Sequence, residues 1–308
     1  ILDYKIIKKS IDARDKNEIF YVYELDVSVL HEKDVLKRNK SLDVFISPKE
    51  EYVFPRKGSI KLENRPVIVG SGPAGLFCAY LLAENGYYPL ILERGEQMEE
   101  RIHTVENFFD TNHLNPNSNI QFGEGGAGTF SDGKLNTLVK DKYFRGKKVF
   151  DIFVENGAPE EILYLSKPHI GTDILRTVIV NIRNKIMELG GEFHYSSQVT
   201  NFFIENNRIV GVEVNHEERI PCNVLVLAIG HSARDTFQLL LNSGFSMKSK
   251  NFAVGIRMEH LQEMINKSQY GEKASLLPPA SYKLVYQTSL GRSVYSTSRS
   301  EESRVGKA

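Results

Sequence analysis

The spacing of hydrophobic residues predicts several strands and helices along the chain. Apolar and polar residues alternate over Phe20–Val29, which predicts a half-buried β-strand. Two short runs, VIV at 67–69 and YPLILE at 88–93, show no polar face, as is expected of parallel strands covered on both sides. The segment PAGLFCAYLLAENG at 73–86 lies between them and is apolar nearly all round. It predicts a buried helix that stops at its final glycine.

Helical spacing returns after the second of these strands. One face of a predicted helix carries Met98, Ile102, Val105 and Phe109. Residues 171–191 form another amphipathic helix, with Thr172 or Asp173 as its expected N-cap. Residues 192–230 then predict a strand, a short meander with turns at ENN and HEE, and an apolar strand that ends at Gly230.

Length and composition fit a globular protein of about two domains, with 308 residues, 41% of them hydrophobic and 25% charged. Lys plus Arg and Asp plus Glu are equal at 39 each, so no global basic excess favours binding to nucleic acid. No apolar run approaches the ~18 residues of a membrane helix. The cysteines, Cys78 and Cys222, lack metal-ligand spacing, and we expect a reducing, cytoplasmic compartment.

The first apolar strand is followed by Gly70, Gly72 and Gly75 in the spacing GxGxxG. In this pattern the first glycine permits a tight turn, the second lets a pyrophosphate approach the backbone, and the third lets helix and strand pack closely. The helix N-terminus offers N–H groups to the phosphates. Glu93 ends the second strand, where a carboxylate would accept hydrogen bonds from a ribose. We predict a dinucleotide site; the alternative is a glycine turn needed only for packing.

A second glycine-rich stretch, GEGGAGTFSDGKL, occupies residues 123–135 and holds five glycines within eleven residues. An ordered run of glycines usually exists because something approaches the backbone closely. The alternative interpretation is a mobile loop.

Seven motifs make the chain resemble the family of uncharacterised FAD-dependent, or NAD(FAD)-utilising, dehydrogenases. They are spread over residues 4–296 and read KKSIDAR, VGSGPAGL, LERG, NIQFGEGGAGTFSDGKLNT, GAPEEILYLSKPHIGTD, VLAIGHSARDTF and FAVGIRMEH. The resemblance implies an α/β fold with a two-dinucleotide, Rossmann-like FAD domain and a β-meander. Four segments follow from it: a small α+β domain at 1–62, the FAD-binding domain at 63–250, the start of a substrate domain at 251–296, and an irregular tail at 297–308.

The resemblance also implies which residues contact FAD. Those expected near the pyrophosphate and ribose are Gly70, Gly72, Pro73, Ala74, Gly75, Glu93 and Arg94. Val199 would lie with its backbone against the adenine, and Gly230 near the flavin phosphates. Gly125, Gly126 and Gly128 would face the flavin ring, where Lys134 could stabilise the charge of reduced flavin; a solvated lysine is the alternative.

Catalytic residues are not identified by the sequence. Three candidates are Lys134, His169 and His231, because histidine titrates near neutrality. A structural hydrogen bond is the alternative role for each histidine. No histidine pair has the spacing of a metal site.

The resemblance implies hydride transfer through the flavin to or from an unknown small-molecule substrate, with NAD(P)H as a candidate electron donor. The residues after VYS at 294–296 depart from the family pattern, and we expect a truncated substrate domain there. Two other functions stay open, a non-catalytic flavin- or nucleotide-binding module and an RNA-modifying flavoprotein. The sequence does not indicate an oligomeric state.

Overall fold

The structure, a computed structural model, describes residues 1–39, 43–48, 51–130, 133, 135, 141–250, 254–256, 259–289, 291 and 293–297. Among these residues no helix has the length and apolar character needed to cross a membrane. The description that follows numbers strands and helices in chain order.

The N-terminal segment is an antiparallel hairpin of β1 (Asp3–Asp12) and β2 (Phe20–Ser28), followed by the short helix α1 (Glu32–Arg38). The predicted strand at Phe20–Val29 is confirmed, but its predicted half-burial is wrong, because every residue of β2 is exposed. The reason lies in the packing. The hairpin meets the rest of the chain along the edge of β1, where Lys9 exchanges backbone hydrogen bonds with Tyr164 and Ser166.

A parallel four-stranded sheet forms the centre of the molecule, in the order β5-β4-β3-β9. Its strands are β3 (Val67–Val69), β4 (Leu90–Leu92), β5 (Glu192–His194) and β9 (Leu225–Leu227). The two apolar runs at 67–69 and 88–93 are thus strands as predicted, and all residues of β3 and β4 are buried. The predicted α/β fold with a parallel sheet is confirmed.

Six longer helices follow α1 in the described part of the chain. They are α2 (Pro73–Glu84), α3 (Met98–Thr111), α4 (Arg145–Glu155), α5 (Thr172–Glu188), α6 (Arg234–Asn242) and α7 (Gln262–Tyr270), with 3₁₀ helices at Gly126–Phe130, Glu160–Leu163 and Gly271–Leu276. On α3 the predicted buried face holds for Met98 and Val105, whereas Phe109 is 58% exposed because it lies near the helix end. The N-cap of α5 is Gly171, so neither Thr172 nor Asp173 occupies that position.

The predicted meander is a separate three-stranded antiparallel sheet of β6 (Val199–Glu205), β7 (Arg208–Val214) and β8 (Glu218–Pro221). Its turns lie where they were predicted. Asn206 and Asn207 have φ of 50° and 60°, and Asn215 and His216 have φ of 53° and 62°. Asparagine tolerates this left-handed conformation better than most residues, which suits tight hairpin turns.

Alternating residues of β3 belong to two different hydrophobic cores. Ile68 packs with α2 and α5, in a cluster that includes Leu76 and Ile182. Val67 and Val69 face the meander, in a cluster that includes Phe202 and Val212. Because side chains alternate across a strand, the sheet is the middle of three layers, with α2 and α5 on one face and the meander together with α6 on the other.

Residues 251–297 contain α7 and a hairpin of β10 (Lys283–Gln287) and β11 (Ser293–Thr297). This hairpin lies in the segment expected to begin a substrate domain, and all residues of β10 are exposed. Thr297, expected in the irregular tail, is the last residue of β11 instead. The rest of that tail, 298–308, lies outside the described residues.

Two isoleucines of α5 test the helical core. Ile182 is fully buried and Ile174 is 42% exposed on the same helix. We expect Ile182→Ala to lower the free energy of unfolding by about 2–5 kcal/mol, because it leaves a cavity under the sheet. Ile174→Ala should change it by less than about 0.5 kcal/mol. Urea unfolding followed by circular dichroism measures both; equal losses would contradict the core described above.

Candidate functional site

The carboxyl ends of β3 and β9 form the switch point of the sheet, where a ligand crevice is expected because the chain reverses its direction across the sheet. From β3 the chain runs to β4 and β5 on one side, and β9 is added on the other side. In open α/β sheets, ligands bind at such a switch point, outside the carboxyl ends of the strands. Gly70 follows β3 and lies against the backbone of Ala228, which follows β9. The GxGxxG loop is therefore at the expected ligand crevice.

Two of the three glycines in this loop are required by the fold itself. Gly70 has a φ of +100°, and a Cβ there would lie 2.6 Å from the Ala228 carbonyl oxygen. A Cβ on Gly75 would lie 1.9 Å from the carbonyl oxygen of Gly70. Both distances are far shorter than any side chain allows, so these positions follow the predicted roles in the tight turn and in helix packing.

Gly72 differs from its two neighbours. It is the N-cap of α2, with φ −68° and ψ −178°, a conformation open to any residue. The nearest atom to a Cβ built on it is the Gly126 Cα at 3.9 Å, an ordinary van der Waals contact. Pro73 occupies the first turn of the helix, where its missing N–H costs nothing. Within the described residues, neither backbone conformation nor packing explains why Gly72 has no side chain.

Glu93 connects the GxGxxG loop to the end of β4. Its carboxylate is 5% exposed and accepts hydrogen bonds from the N–H and hydroxyl of Ser71, both at 2.8 Å, and from the N–H of Gly95 at 2.8 Å. A carboxylate has about four acceptor positions, so one is left for a ligand hydroxyl. The contact with ribose stays a prediction. What the structure adds is that Glu93 also fixes Ser71.

The second glycine-rich stretch packs directly on the first. The N–H of Gly125 donates to the Ser71 carbonyl at 2.9 Å. A Cβ on Gly126 would lie 3.2 Å from both Gly72 Cα and Pro73 Cδ, and Gly126 has a φ of +66°. Gly128, in contrast, has nothing within 4 Å of a built Cβ. Gly125 and Gly126 are thus packed against the GxGxxG loop, and the contact of this stretch with a flavin stays a prediction. Lys134, the proposed partner of the flavin, lies outside the described residues.

Arg101 of α3 donates hydrogen bonds to the backbone of this glycine-rich stretch and of the residues before it. Its side chain is fully buried, and its N–H groups donate to the carbonyls of Asn119, Ile120, Glu124 and Gly126. The guanidinium also lies 4.8 Å from the ring centroid of Phe130, and that of Arg176 lies 4.7 Å from it. Burial lowers the pKa of Arg101 to about 10, opposed by Glu93 and Glu124, so the group is charged at neutral pH.

Glu124 forms a buried ionic cluster beside Arg101. Its carboxylate is 0% exposed and accepts hydrogen bonds from Arg183 Nη1 at 2.8 Å and from the Met98 N–H at 2.7 Å. Arg183 also donates to Glu99 at 2.6 and 3.1 Å. The Tyr195 hydroxyl and Glu124 Oε1 lie close together without a well-formed hydrogen bond.

Burial dominates the electrostatics of this cluster. It raises the pKa of Glu124 although Arg183 opposes the shift, and it also raises the pKa of Tyr195. Hydrogen bonding from Arg183 lowers the pKa of Glu99, which is partly exposed. The cluster therefore combines one carboxyl group that is costly to charge with one that its arginine keeps charged.

Arg94 and Gly230 lie at the other side of the crevice. Arg94 forms an ion pair with Asp235 at the start of α6 and lies 5.0 Å from the ring centroid of Phe122. Among the described residues its buried Nε atom has no hydrogen-bond partner. Gly230 follows β9 with a φ of +70° and nothing within 4 Å of a built Cβ. Both keep their predicted cofactor contacts as predictions.

Val199 and the two candidate histidines lie in three separate segments of the chain. Val199 pairs with Val214 in the meander, and its side chain is buried in the second core. His231 is exposed beside Gly230, with its Nε2 atom 3.4 Å from the Ser232 hydroxyl. His169 is half-buried in the segment 168–170, which exchanges backbone hydrogen bonds with Gly133 and Leu135. In the described part of the chain, no three His, Cys, Asp or Glu residues group as metal ligands do.

Comparison with known families supports this interpretation of the crevice. Residues 68–119 match an NAD(P)-binding Rossmann-like domain, and residues 1–28 match a domain of unknown function. Residues 251–297 match the family described as FAD-dependent protein, C-terminal domain-like. The chain is related to FAD-dependent proteins. FAD is the cofactor that this relationship assigns, and the sequence-based resemblance is confirmed.

Individual proteins also show similarity to this chain. An uncharacterised protein of Clostridium beijerinckii is 46% identical over 294 residues, which are 94% of this chain and 55% of that protein. The chain thus spans about half the length of this curated relative. Two solved structures are more distant. Thermovibrio ammonificans THI4 has a TM-score of 0.40 and 18% identity, covering 59% of this chain and 64% of that one. L-proline dehydrogenase from P. horikoshii has a TM-score of 0.34 and 17% identity, covering 61% of this chain and 58% of that one.

Several residues of the site were missed by the sequence reasoning, namely Ser71, Glu99, Arg101, Glu124, Arg183 and Tyr195. A signal for one of them was present. Arg101 falls three residues after Met98 and four before Val105, on the face of α3 that was predicted to be buried. A charged residue on such a face requires a buried partner. The other contacts join distant segments and leave no local pattern.

The Glu99–Arg183 pair predicts a pH dependence of stability. Because the folded pKa of Glu99 is lowered, its contribution is present above the unfolded value of about 4.5 and is lost as the pH falls through the folded value. We expect Glu99→Gln to cost about 1 kcal/mol or less at pH 7, since the pair is partly exposed. The difference from the wild type should shrink at acidic pH.

Urea unfolding at a series of pH values measures this difference. Glu100→Gln, at an exposed neighbouring position on α3, is the matched control and should leave the pH profile unchanged. A constant difference between wild type and Glu99→Gln at every pH would refute the ionic role of the pair.

Proposed function

We propose that this chain binds FAD at the carboxyl ends of β3 and β9 and serves a flavin-dependent oxidoreductase. The observation that carries the proposal is Gly72. Its conformation suits any residue and its surroundings would accept a Cβ, yet it stands at the N-terminus of a twelve-residue helix at the switch point of the sheet. A ligand that approaches the backbone there explains the glycine, and pyrophosphate is the group that this geometry favours.

The first turn of α2 provides donors for that pyrophosphate. The first N–H groups of a helix have no partner within the helix. Pro73 has no N–H, so Ala74 and Gly75 supply the donors, and the positive end of the helix dipole adds to the attraction. Glu93, with one acceptor position open, would bind a ribose hydroxyl. The N–H donors, the helix dipole and the Glu93 carboxylate together match the polar end of a dinucleotide.

The glycine-rich stretch at 123–128 would lie beside the flavin half of the cofactor. Gly125 and Gly126 are held against the GxGxxG loop. Bound FAD would supply the hydride-accepting and hydride-donating ring. The chain's part is to bind it, to exclude water and to orient a substrate. Lys134, His169 and His231 stay candidates for substrate or proton contacts, with NAD(P)H as a candidate electron donor.

Two alternatives predict other measurements. A non-catalytic flavin-binding module would bind FAD without oxidising reduced nicotinamide in the presence of a dye acceptor. An RNA-modifying flavoprotein would bind RNA with a steep dependence on salt. The balanced charge of the chain gives the second alternative no electrostatic support.

Replacing Gly72 tests the proposed site. We expect Gly72→Ala to weaken FAD binding by at least about tenfold, equivalent to about 1.4 kcal/mol, because its methyl group meets the pyrophosphate. Its unfolding temperature without FAD should stay close to that of the wild type, since the protein itself accepts a Cβ there. Flavin absorbance of the purified proteins and titration with FAD measure the effect.

The matched control is Gly58→Ala, at a glycine in the linker before β3 that also accepts a Cβ, since nothing lies within 4 Å of a Cβ built on it. It should bind FAD as the wild type does. Chromatography of the nucleotide released by acid identifies the cofactor. Wild-type affinity in Gly72→Ala, or a wild type that binds no FAD, would contradict the proposal.

A further inference from the structure

Arg101 uses its charge in an unusual way. A buried arginine normally pairs with a carboxylate, because an unpaired buried charge is costly. Here the carboxylates of the cluster are paired with Arg183 instead. Arg101 directs its N–H groups to main-chain carbonyls, at 3.0 and 2.8 Å to Asn119, 3.1 Å to Ile120 and 2.9 Å to Gly126, with a further bond to Glu124. A planar guanidinium has five such donors in a fixed fork.

These bonds fix the direction of peptide planes as well as the position of the loop. The peptide group is planar and trans, so its N–H points opposite to its carbonyl. The peptide between Glu124 and Gly125 has its carbonyl on Arg101 and its N–H on the Ser71 carbonyl. The next fixed peptide has the Gly126 carbonyl on Arg101, which turns the N–H of Ala127 away from Arg101.

The chain also clears space for this side chain. Gly123 has a φ of +115°, and a Cβ on it would lie 2.4 Å from Arg101 Cδ and 2.7 Å from Nε. Gly123 is therefore a glycine that serves Arg101. Gly126, three residues further along the chain, lies against Gly72 and Pro73 of the GxGxxG loop. Within this stretch Arg101 therefore contacts Gly123, Glu124 and Gly126, and the GxGxxG loop contacts Gly125 and Gly126.

We infer that Arg101 is a positioning residue for the flavin, acting through the backbone of residues 124–127, which it orients against the GxGxxG loop. This inference rests on the proposed function, because it takes FAD to be the ligand of that loop. It assigns Arg101 no contact with FAD. The fork of donors should matter rather than the positive charge alone.

The test compares Arg101→Lys and Arg101→Met with the matched control Arg65→Met. Arg65 likewise donates to main-chain carbonyls, those of Tyr88 and Gly190, and pairs with Glu192, but it lies at the opposite end of the sheet. We expect both Arg101 variants to bind FAD at least about tenfold more weakly. The visible circular dichroism of the flavin that remains bound should change. Arg65→Met should lose stability and keep wild-type affinity and spectrum.

Each outcome decides the matter. Wild-type affinity and flavin spectrum in Arg101→Met would overturn the inference and leave the proposed function standing. Full rescue by lysine would overturn it too, because charge alone would then suffice. A wild type that binds no FAD would overturn both. If Arg101→Met does not fold, two other variants replace it in the test. They are Arg101→Lys and Gly123→Ala, whose methyl group would displace the arginine side chain. Unfolding of all three would show a role in stability and overturn the inference.

Discussion

The buried guanidinium of Arg101 is the interaction on which the arrangement of the crevice depends. It joins α3 to four carbonyls of a loop that has little regular structure of its own. Irregular buried backbone requires partners for its polar groups, and here one side chain provides them for four carbonyls. Without it, residues 119–126 would have buried carbonyls to satisfy in another way. The ionic cluster of Glu124, Arg183 and Glu99 lies beside the buried positive charge of Arg101.

The glycines of the two loops fall into distinct physical groups. Gly70, Gly75 and Gly123 are required because a Cβ would collide with a backbone or with Arg101. Gly72 and Gly128 have no such neighbour at close range. A glycine that the fold does not require is the kind that a ligand would explain. This separation supports the assignment of the crevice to FAD more directly than the GxGxxG spacing does, because the spacing alone cannot distinguish turn packing from phosphate binding.

The sequence predicted the local part of this structure and little of its long-range part. β3, α2, β4 and the turns of the meander were predictable, since each depends on hydrophobic period or on residues that tolerate particular backbone angles. The burial of Glu124 was not, because its partner Arg183 lies 59 residues away. The exposure of β2 was missed for a related reason: alternation shows that one face is apolar, but not whether another layer covers it. Phe109 lies on the predicted face of α3, and its predicted burial is wrong because the helix ends nearby.

The crevice draws its walls from segments that are far apart in the chain. Ser71 meets Gly125, and the backbone of Val69 accepts a hydrogen bond from the N–H of Ala228. During synthesis the first strands emerge long before β9, so the pocket has no second wall until some 160 further residues have followed β3. A nucleotide therefore has nothing complete to occupy while the early strands fold. In the proposed function, FAD would bind only after β9 has joined the sheet, and its binding would stabilise a sheet that is already assembled.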